Sequence, residues 1–471
     1  MSQCILNKKE KGVSLVTIEY DLPEEQGEAN KELPISTGSR YKFDEHTSEQ
    51  VADSNSITVK SGQKGYIKFN NIAEITYKVE DDGSGTYERS DLEGLDYKKD
   101  FLASSTFGDG GIGVFGGRNA GTSVYYYTNN THIRNALTDL SNSRSYHTST
   151  AFKDGGVAVF GGYDNSSSYL KTVDYYANET HTKSELNNMS TLRTEHSSST
   201  FGDGGIGIFG GRSANSTYLA SVNYYANETH TRSTLTALSV ARNYLSSATF
   251  KDGSVAVFGG NTANDLNETT VDYYANETHT KGTLTNLTNS VAYHTSSTFG
   301  DGGIGVFGGY DGWSAVIVRA SYYANETHTK SDLTFLSNNG RYYHTSSTFK
   351  DGSIGIFGGY DRKSYLKTVE QYKDITHTRS DLTSMVYNRS MHTSSTFGDG
   401  GIGLFGGEQD TSVVSANYYS YIPPTKEFTA CKGALYKQED GEWQVAENEK
   451  IKLVAGQLNT VKYPAIDKIM I

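Results

Sequence analysis

The stretch from Phe107 to Gly117 reads Phe-Gly-Asp-Gly-Gly-Ile-Gly-Val-Phe-Gly-Gly, and close copies of it return six more times. The copies end in Gly116-Gly117, Gly161-Gly162, Gly210-Gly211, Gly259-Gly260, Gly308-Gly309, Gly358-Gly359 and Gly406-Gly407, spaced by 45, 49, 49, 49, 50 and 48 residues. Recurrence at that period restricts the chain to repeat architectures, in which one unit read closely explains most of the molecule. The units are numbered 1 to 7 in chain order.

In unit 6, His344-Thr-Ser-Ser-Thr-Phe349 is short and β-prone and runs into Lys350-Asp351-Gly352-Ser353. Asp-Gly between two strand-like runs signals a hairpin, because the turn needs positive φ that these residues tolerate. Ile354 to Phe357 gives a second strand, the glycine pair ends it, Tyr365 to Tyr372 gives a third and Thr376 to Leu382 a fourth. Four short antiparallel strands per unit are the blade of a β-propeller. The expected fold is all-β, a seven-bladed propeller. The five prolines all lie outside the region from Tyr87 to Tyr421, as suits a body of paired strands.

The ends of the array predict how the ring closes. Thr86-Tyr-Glu-Arg-Ser-Asp-Leu92 aligns without gaps on the fourth strand Thr376-His-Thr-Arg-Ser-Asp-Leu382, whereas unit 7 stops at Pro423 without a fourth strand. The expectation is a last blade completed by residues 86–92, which removes two open edges. The double glycine, the tyrosine of the third strand and the Arg followed by His near each blade's start resemble the kelch-repeat propellers. That resemblance covers about residues 86–421. Kelch units usually carry a Trp in the fourth strand, whereas here that region reads Thr-His-Thr around His181, His230, His279, His328 and His377.

The flanks resemble each other. Ile57 to Ile75 matches Ile451 to Ile469 at a constant offset, and Gln50-Val51-Ala52 matches Gln444-Val445-Ala446 in the same register. The expected domains are an N-terminal β module, 1–82, the propeller, 83–422, and a like C-terminal module, 423–471. A pair of like modules beside a propeller reads as an anchoring base, or in a plainer reading as strands that shield the closing blade.

A net charge of -12 argues against a nucleic-acid groove, which needs clustered Lys and Arg. No apolar run approaches the ~18 residues of a membrane span, and the N-terminus has no apolar core of a signal peptide. The two cysteines, Cys4 and Cys431, provide no disulfide framework and no thiolate zinc site; one bridge between them is conceivable, with two free thiols the simpler reading. Asn-Glu-Thr at Asn178, Asn227, Asn267, Asn276 and Asn325 reads as a turn of the repeat rather than as glycosylation acceptors. Gly111 to Gly116 matches the dinucleotide fingerprint formally, but no helix follows to receive a pyrophosphate. No catalytic residue, metal ligand set or cofactor is expected.

In a propeller, the loops joining second to third strands share a face with those joining one blade to the next. The first set carries Tyr163, Asp164, Arg212, Tyr310, Asp311, Trp313, Tyr360, Asp361 and Arg362; the second carries Arg144, Arg193, Arg242, Arg341 and Arg389, with Lys99 and Val291 in the equivalent places. Aromatic rings beside carboxylates and guanidinium groups suit saccharides, which stack on the rings and hydrogen-bond to the charges. The alternative for the five arginines is to brace neighbouring blades. The expectation is a non-enzymatic recognition propeller that binds a cell-surface glycan or protein, joined to a larger assembly by its flanks on a virion or cell surface. An intracellular kelch-type scaffold in the cytoplasm and a carbohydrate-active enzyme are the alternatives.

Overall fold

The computed structural model describes residues 85–422 except 119, 120, 165, 167, 264, 265, 313, 314, 338, 339 and 410–413, and in the flanks the strands together with residues 423, 441–443 and 446. Seven four-stranded antiparallel sheets follow one another, each ordered first to fourth strand. Blade 1 is Ala103–Thr106, Ile112–Phe115, Val124–Tyr127 and Arg134–Ala136. In blade 7, Thr393–Thr396, Ile402–Phe405 and Ala416–Ile422 are completed by Thr86–Leu92. The first strands neighbour one another around the axis, and that of blade 1 meets that of blade 7. Each second strand is buried along its whole length, which is why Ile-Gly-Val-Phe and its copies carry no polar residue.

Two rings of backbone hydrogen bonds hold the disc closed. On the loop face, the residue two before each first strand occupies one place: Phe101, Tyr146, Glu195, Tyr244, Tyr293, Tyr343 and Met391. All seven are left-handed, with φ from 48° to 59°. Each donates its N–H to the carbonyl of the equivalent residue in the preceding blade at 2.9 to 3.2 Å, and Phe101 bonding to Met391 completes the circle. Left-handed backbone at a non-glycine residue costs on the order of 1 kcal/mol or more and persists where its surroundings over-determine it, as this ring does. On the opposite face the hairpins form a second circle running in the other sense, from Gly108 N–H to Gly155 O around to Gly398 N–H to Gly110 O, at 2.8 to 3.2 Å.

Between these rings runs a third, made of side chains. Thr106, Thr200, Thr249, Thr298, Thr348 and Thr396 each donate Oγ1–H to the carbonyl of the equivalent residue in the preceding blade, at 2.5 to 2.7 Å. Blade 2 has Ala151 there, so the Thr106 carbonyl lacks that donor. Ala151→Thr is expected to complete the ring and stabilise the propeller by about 1 kcal/mol, the net worth of one such bond. A urea midpoint at or below that of the parent protein would refute this.

The seam between blades 6 and 7 shows what the repeat requires at its hairpin face. His132, His181, His230, His279, His328 and His377 each place Nε2 2.9 to 3.1 Å from the hairpin aspartate of the preceding blade. Their rings pack on the tyrosine and phenylalanine beside it, as His181 does on Tyr126 and Phe107 at 4.1 and 4.6 Å. In blade 7 the fourth strand comes from the other end of the chain, and Tyr87 stands in the histidine's place. Its hydroxyl donates to Asp351 Oδ2 at 2.5 Å and its ring lies 4.7 Å from Phe349. The Asn-Glu-Thr turns serve the same face: Asn178, Asn227, Asn276 and Asn325 accept the N–H of Asp109, Asp154, Asp203 and Asp252 at 3.1 Å. Asn267 instead donates to the Tyr310 carbonyl.

By compactness the chain divides into residues 87–422 and a second unit made of 1–86 with 423–471. Within that second unit the two like modules exchange their last strands. Ile75–Lys78 pairs antiparallel with Leu458–Lys462, and Lys468–Met470 pairs with Gly65–Lys68. Cys431 lies outside the described residues, and with it any pairing to Cys4.

Candidate functional site

The backbone ring on the loop face determines what lies at its centre. Left-handed backbone turns the side chains of its seven residues toward one another, and five of them are aromatic. Phe101 stacks on Tyr146 at 3.8 Å and meets Tyr343 edge-on at 6.1 Å; Tyr343 lies 4.6 Å from Tyr293, and Tyr293 4.1 Å from Tyr244. Phe101 of blade 1 and Tyr343 of blade 6 meet past blade 7, which has Met391 at this place, so the rings form one cluster at the centre of the loop face. Glu195 interrupts this aromatic cluster in blade 3. Its carboxylate accepts from Tyr244 Oη and Asn243 Nδ2 at 2.6 Å each and from Arg212 Nη2 at 3.0 Å. Burial pushes the Tyr146 phenol up to about 12, and burial followed by the Glu195 charge raises Tyr244, so these hydroxyls stay protonated.

Around this centre each blade presents a bridged residue pair: Asp100 with Arg118, Ser145 with Tyr163, Thr194 with Arg212, Asn243 with Asn261, Ala292 with Tyr310, Tyr342 with Tyr360, and Ser390 with Glu408. The pairs differ from blade to blade, so the loop face is asymmetric although the scaffold is not. In blade 1, Arg118 holds Asp100 at 2.6 Å and reaches Glu408 of blade 7 at 3.5 Å. Across blades 5 and 6, Tyr342 lies 5.5 Å from Tyr310 and 5.6 Å from Tyr360, Tyr365 lies 5.1 Å beyond, and the Arg362 guanidinium sits 5.7 Å from the Tyr310 ring. Tyr310, Tyr342 and Tyr360 are half-buried, and Arg362 is exposed.

Of the residues the sequence nominates, Tyr310, Tyr360 and Arg362 come together, while Tyr163 stands apart in blade 2 against Tyr169 at 5.2 Å. Arg212 is committed to Glu195. Asp164, Asp311 and Asp361 each accept backbone N–H groups of their own loop, those of Ser166 and Ser168, of Ala315, and of Lys363 and Ser364, at 2.7 to 2.9 Å. They shape the loops. Trp313 lies outside the described residues.

The five arginines require a correction. Arg144, Arg193, Arg242, Arg341 and Arg389 are 0 to 1% exposed and do not line the loop face. Arg144 shows the reason. Its carbonyl accepts the N–H of Gly117 in blade 1, while its guanidinium bonds to Gly161 O and Asp174 Oδ2 in blade 2 at 3.2 and 2.7 Å. The second glycine of each pair, at φ near 106° in Gly117, is the residue that lets that backbone approach the next blade. Arg242 meets Asp272 at 2.9 Å and Arg341 meets Glu370. Arg193 and Arg389 are held by carbonyl and side-chain oxygens of Gly210 and Ser221, and of Gly406, Ser415 and Asn417. Burial pushes both down to about 10, which leaves them charged at neutral pH. Blade 5 dispenses with the pair altogether, having Val291 for the arginine and Ser321 for the acid.

A Kelch motif model matches residues 341–386, from the buried arginine of blade 6 through its fourth strand. That match covers blade 6, and together with the seven four-stranded sheets closed into a ring it supports a kelch-repeat propeller. The chain is a kelch-repeat β-propeller. Solved structures share this fold at low sequence identity. YjhT is 13% identical with a TM-score of 0.50, over 62% of this chain and 99% of that one. A fungal alcohol oxidase of the AA5 family, in complex with copper, is 15% identical with a TM-score of 0.56, over 81% of this chain and 93% of that one. No curated protein sequence matches. Among the described residues of this kelch propeller, no three His, Cys, Asp or Glu side chains group as metal ligands. The fold supports a binding or scaffold role, and the loop-face side chains must specify it.

Sequence reasoning did not nominate Phe101, Tyr146, Glu195, Tyr244, Tyr293, Tyr342 or Tyr343. The signal was present: the residue before each first-strand His or Leu is aromatic in five units of seven. Its convergence on the axis exists only in three dimensions.

Proposed function

We propose that this kelch propeller is a recognition body that binds a cell-surface glycan or protein through the tyrosine cluster of blades 5 and 6. One observation carries the reading. Tyr310, Tyr342, Tyr360 and Tyr365 gather with Arg362 on a scaffold whose other features repeat almost unchanged. Partly exposed rings beside a guanidinium stack against sugar faces or aromatic side chains and hydrogen-bond to hydroxyl or carboxyl groups. The strand-exchanged flanks suit attachment to a larger assembly, and a phage tail, fibre or bacterial surface structure is the setting proposed.

Binding to a panel of bacterial polysaccharides tests the reading. The Tyr310→Ala, Tyr360→Ala double variant is expected to lose at least about tenfold in affinity with an unchanged melting temperature, and Trp313→Ala extends the map to the neighbouring loop. Absence of binding to every glycan and surface protein, with capture of one stoichiometric cytosolic partner, would replace this reading with the intracellular scaffold.

A second reading has its own observation. Glu195 is the single carboxylate in the aromatic centre of the loop face and is bonded to Arg212, Asn243 and Tyr244, an asymmetric group of the kind a carbohydrate-active enzyme needs. Turnover of a sugar that vanishes in Glu195→Gln would support it.

A further inference from the structure

The two like modules of the flanks share one plan except at a single sheet edge. In the N-terminal module the strands lie in the order Gln50–Val51, Arg40–Phe43, Gly65–Lys68 and then the exchanged strand Lys468–Met470; in the C-terminal module they lie in the order Gln444–Val445, Leu435–Gln438, Leu458–Lys462 and the exchanged strand Ile75–Lys78. The registers agree residue for residue. Arg40 opposes Val51 and Lys68 as Leu435 opposes Val445 and Lys462, and Ile67 opposes Ile469 as Val461 opposes Ile75. Beyond the exchanged strand the sheets differ. Val13–Tyr20 adds parallel to Lys468–Met470, with Val16 opposite Ile469 and Thr17 opposite Met470, and Ser2–Glu10 pairs antiparallel with it in turn. Among the described residues, no strand takes that place beside Ile75–Lys78. At the offset that aligns the modules, the equivalent of this hairpin falls within blade 7 and is spent there.

A strand edge of this kind is a template for pairing, because its outer N–H and C=O groups need partners. Ile75-Thr-Tyr-Lys78 is β-prone, has no proline and carries its one charge at the end. The other edges of the two sheets are blunted. Gln50–Val51 and Gln444–Val445 are two residues long, and Ser2–Glu10 ends in Lys8, Lys9 and Glu10 and lies beside Thr425–Thr429.

We infer that the outer side of Ile75–Lys78 is an attachment site for a β-strand donated by another protein, an extended segment of β-branched and apolar residues that adds parallel in the register of Val13–Tyr20. A second copy of this chain is a poor donor. Its hairpin would have to leave its place beside Lys468–Met470 to fill this one, so the pairing gained equals the pairing lost. A segment from another protein gains a ladder where it had none: main-chain hydrogen bonds supply affinity, and alternate side chains supply specificity. The inference rests on the reading of the flanks as the part that joins a larger assembly, and not on the loop-face site.

Calorimetry and photo-crosslinking of the full chain with a synthetic peptide of the sequence Val13–Tyr20, bearing a photoreactive leucine in place of Leu15 and lysines at its C-terminus for solubility, test the inference. The expected result is saturable one-to-one binding below millimolar concentration, with cross-links at residues 75–78. Successive residues of a strand turn their N–H groups to opposite sides, so of Thr76→Pro and Tyr77→Pro one removes a donor from the outer side alone. Whichever variant melts nearer the parent protein should bind the peptide at least about tenfold more weakly. Cross-links confined to residues 468–470 would mean that the peptide only displaces the chain's own hairpin and would overturn the inference, as would absence of saturable binding or equal binding by parent and both variants. The Tyr310→Ala, Tyr360→Ala variant should bind the peptide as the parent does, which separates failure here from failure of the loop-face reading.

Discussion

Lowering the pH from 8 to 5 is expected to remove about 10 kcal/mol of folding free energy from the propeller. Five histidines, His147, His196, His294, His344 and His392, lie buried at one place in the repeat. Burial first, and then the nearby buried arginines, lowers His147 and His294 to about 3 and holds the other three well below the usual value. The folded state therefore keeps them neutral, whereas the unfolded chain takes up protons as the pH falls below about 6.5. More protons on the unfolded chain means stability that is present above that value and lost below it, about 2 kcal/mol per histidine at pH 5. A domain's whole stability is about 5–15 kcal/mol, so five such groups decide whether the ring survives mild acid. Urea denaturation across this range, followed by circular dichroism, measures the loss. Replacing all five by leucine, the residue at this place in Leu102 and Leu245, should flatten the profile between pH 7 and 5. If parent and variant lose stability in parallel over that window, the histidines are not its cause.

Removing one buried arginine should be almost as damaging at neutral pH. Arg242→Val takes the guanidinium from Oδ2 of buried Asp272, leaving Lys281 at 2.9 Å and the hydroxyl and N–H of Ser239 at 2.5 and 3.1 Å, and strips carbonyl bonds from blade 4. Breaking a buried ion pair this way costs about 3–5 kcal/mol. The double variant Arg242→Val, Asp272→Ser reproduces what blade 5 carries as Val291 and Ser321, and it should cost clearly less than the sum of the two single changes. Blade 5 indicates what remains: a void of about 20 Å³ beside Val291 and Ser321, and an unpartnered Asn289 Oδ1. Thermal melts of the four proteins in the cycle give the coupling. Additivity within about 0.5 kcal/mol would show that Arg242 and Asp272 act independently and would sink this account.

Both expectations depend on how the repeat uses its polar positions, and there the sequence was only partly legible. The seven blades could be read directly, because Asp-Gly turns, four-residue apolar strands and glycine pairs are local signals reinforced by recurrence. Aligning Thr86 to Leu92 on the fourth strands put Tyr87 opposite His377; that a phenol would bond to Asp351 as imidazoles do to the other hairpin aspartates appears only once the rings are packed. The arginines were nominated for the loop face because they lie in inter-blade segments. Their side chains instead turn inward to the carbonyls of the next sheet, which no spacing in the chain reveals. Tyr310, Tyr360 and Arg362 were nominated on composition and do gather, whereas Tyr342, which joins them, was hidden among tyrosines common throughout the repeat.

The sequence by itself determined the sevenfold period and the strands within each blade, because these rest on neighbours within about 50 residues, and the likeness of the two flanks, because copied segments can be aligned at any separation. Tertiary structure alone decided which repeated residues face the axis, the sheet interfaces or solvent. Equivalence in a repeat guarantees that seven side chains share one environment without saying which environment it is. The aromatic cluster of the loop face and the exchanged strands of the flanks both arise where residues tens or hundreds of positions apart converge.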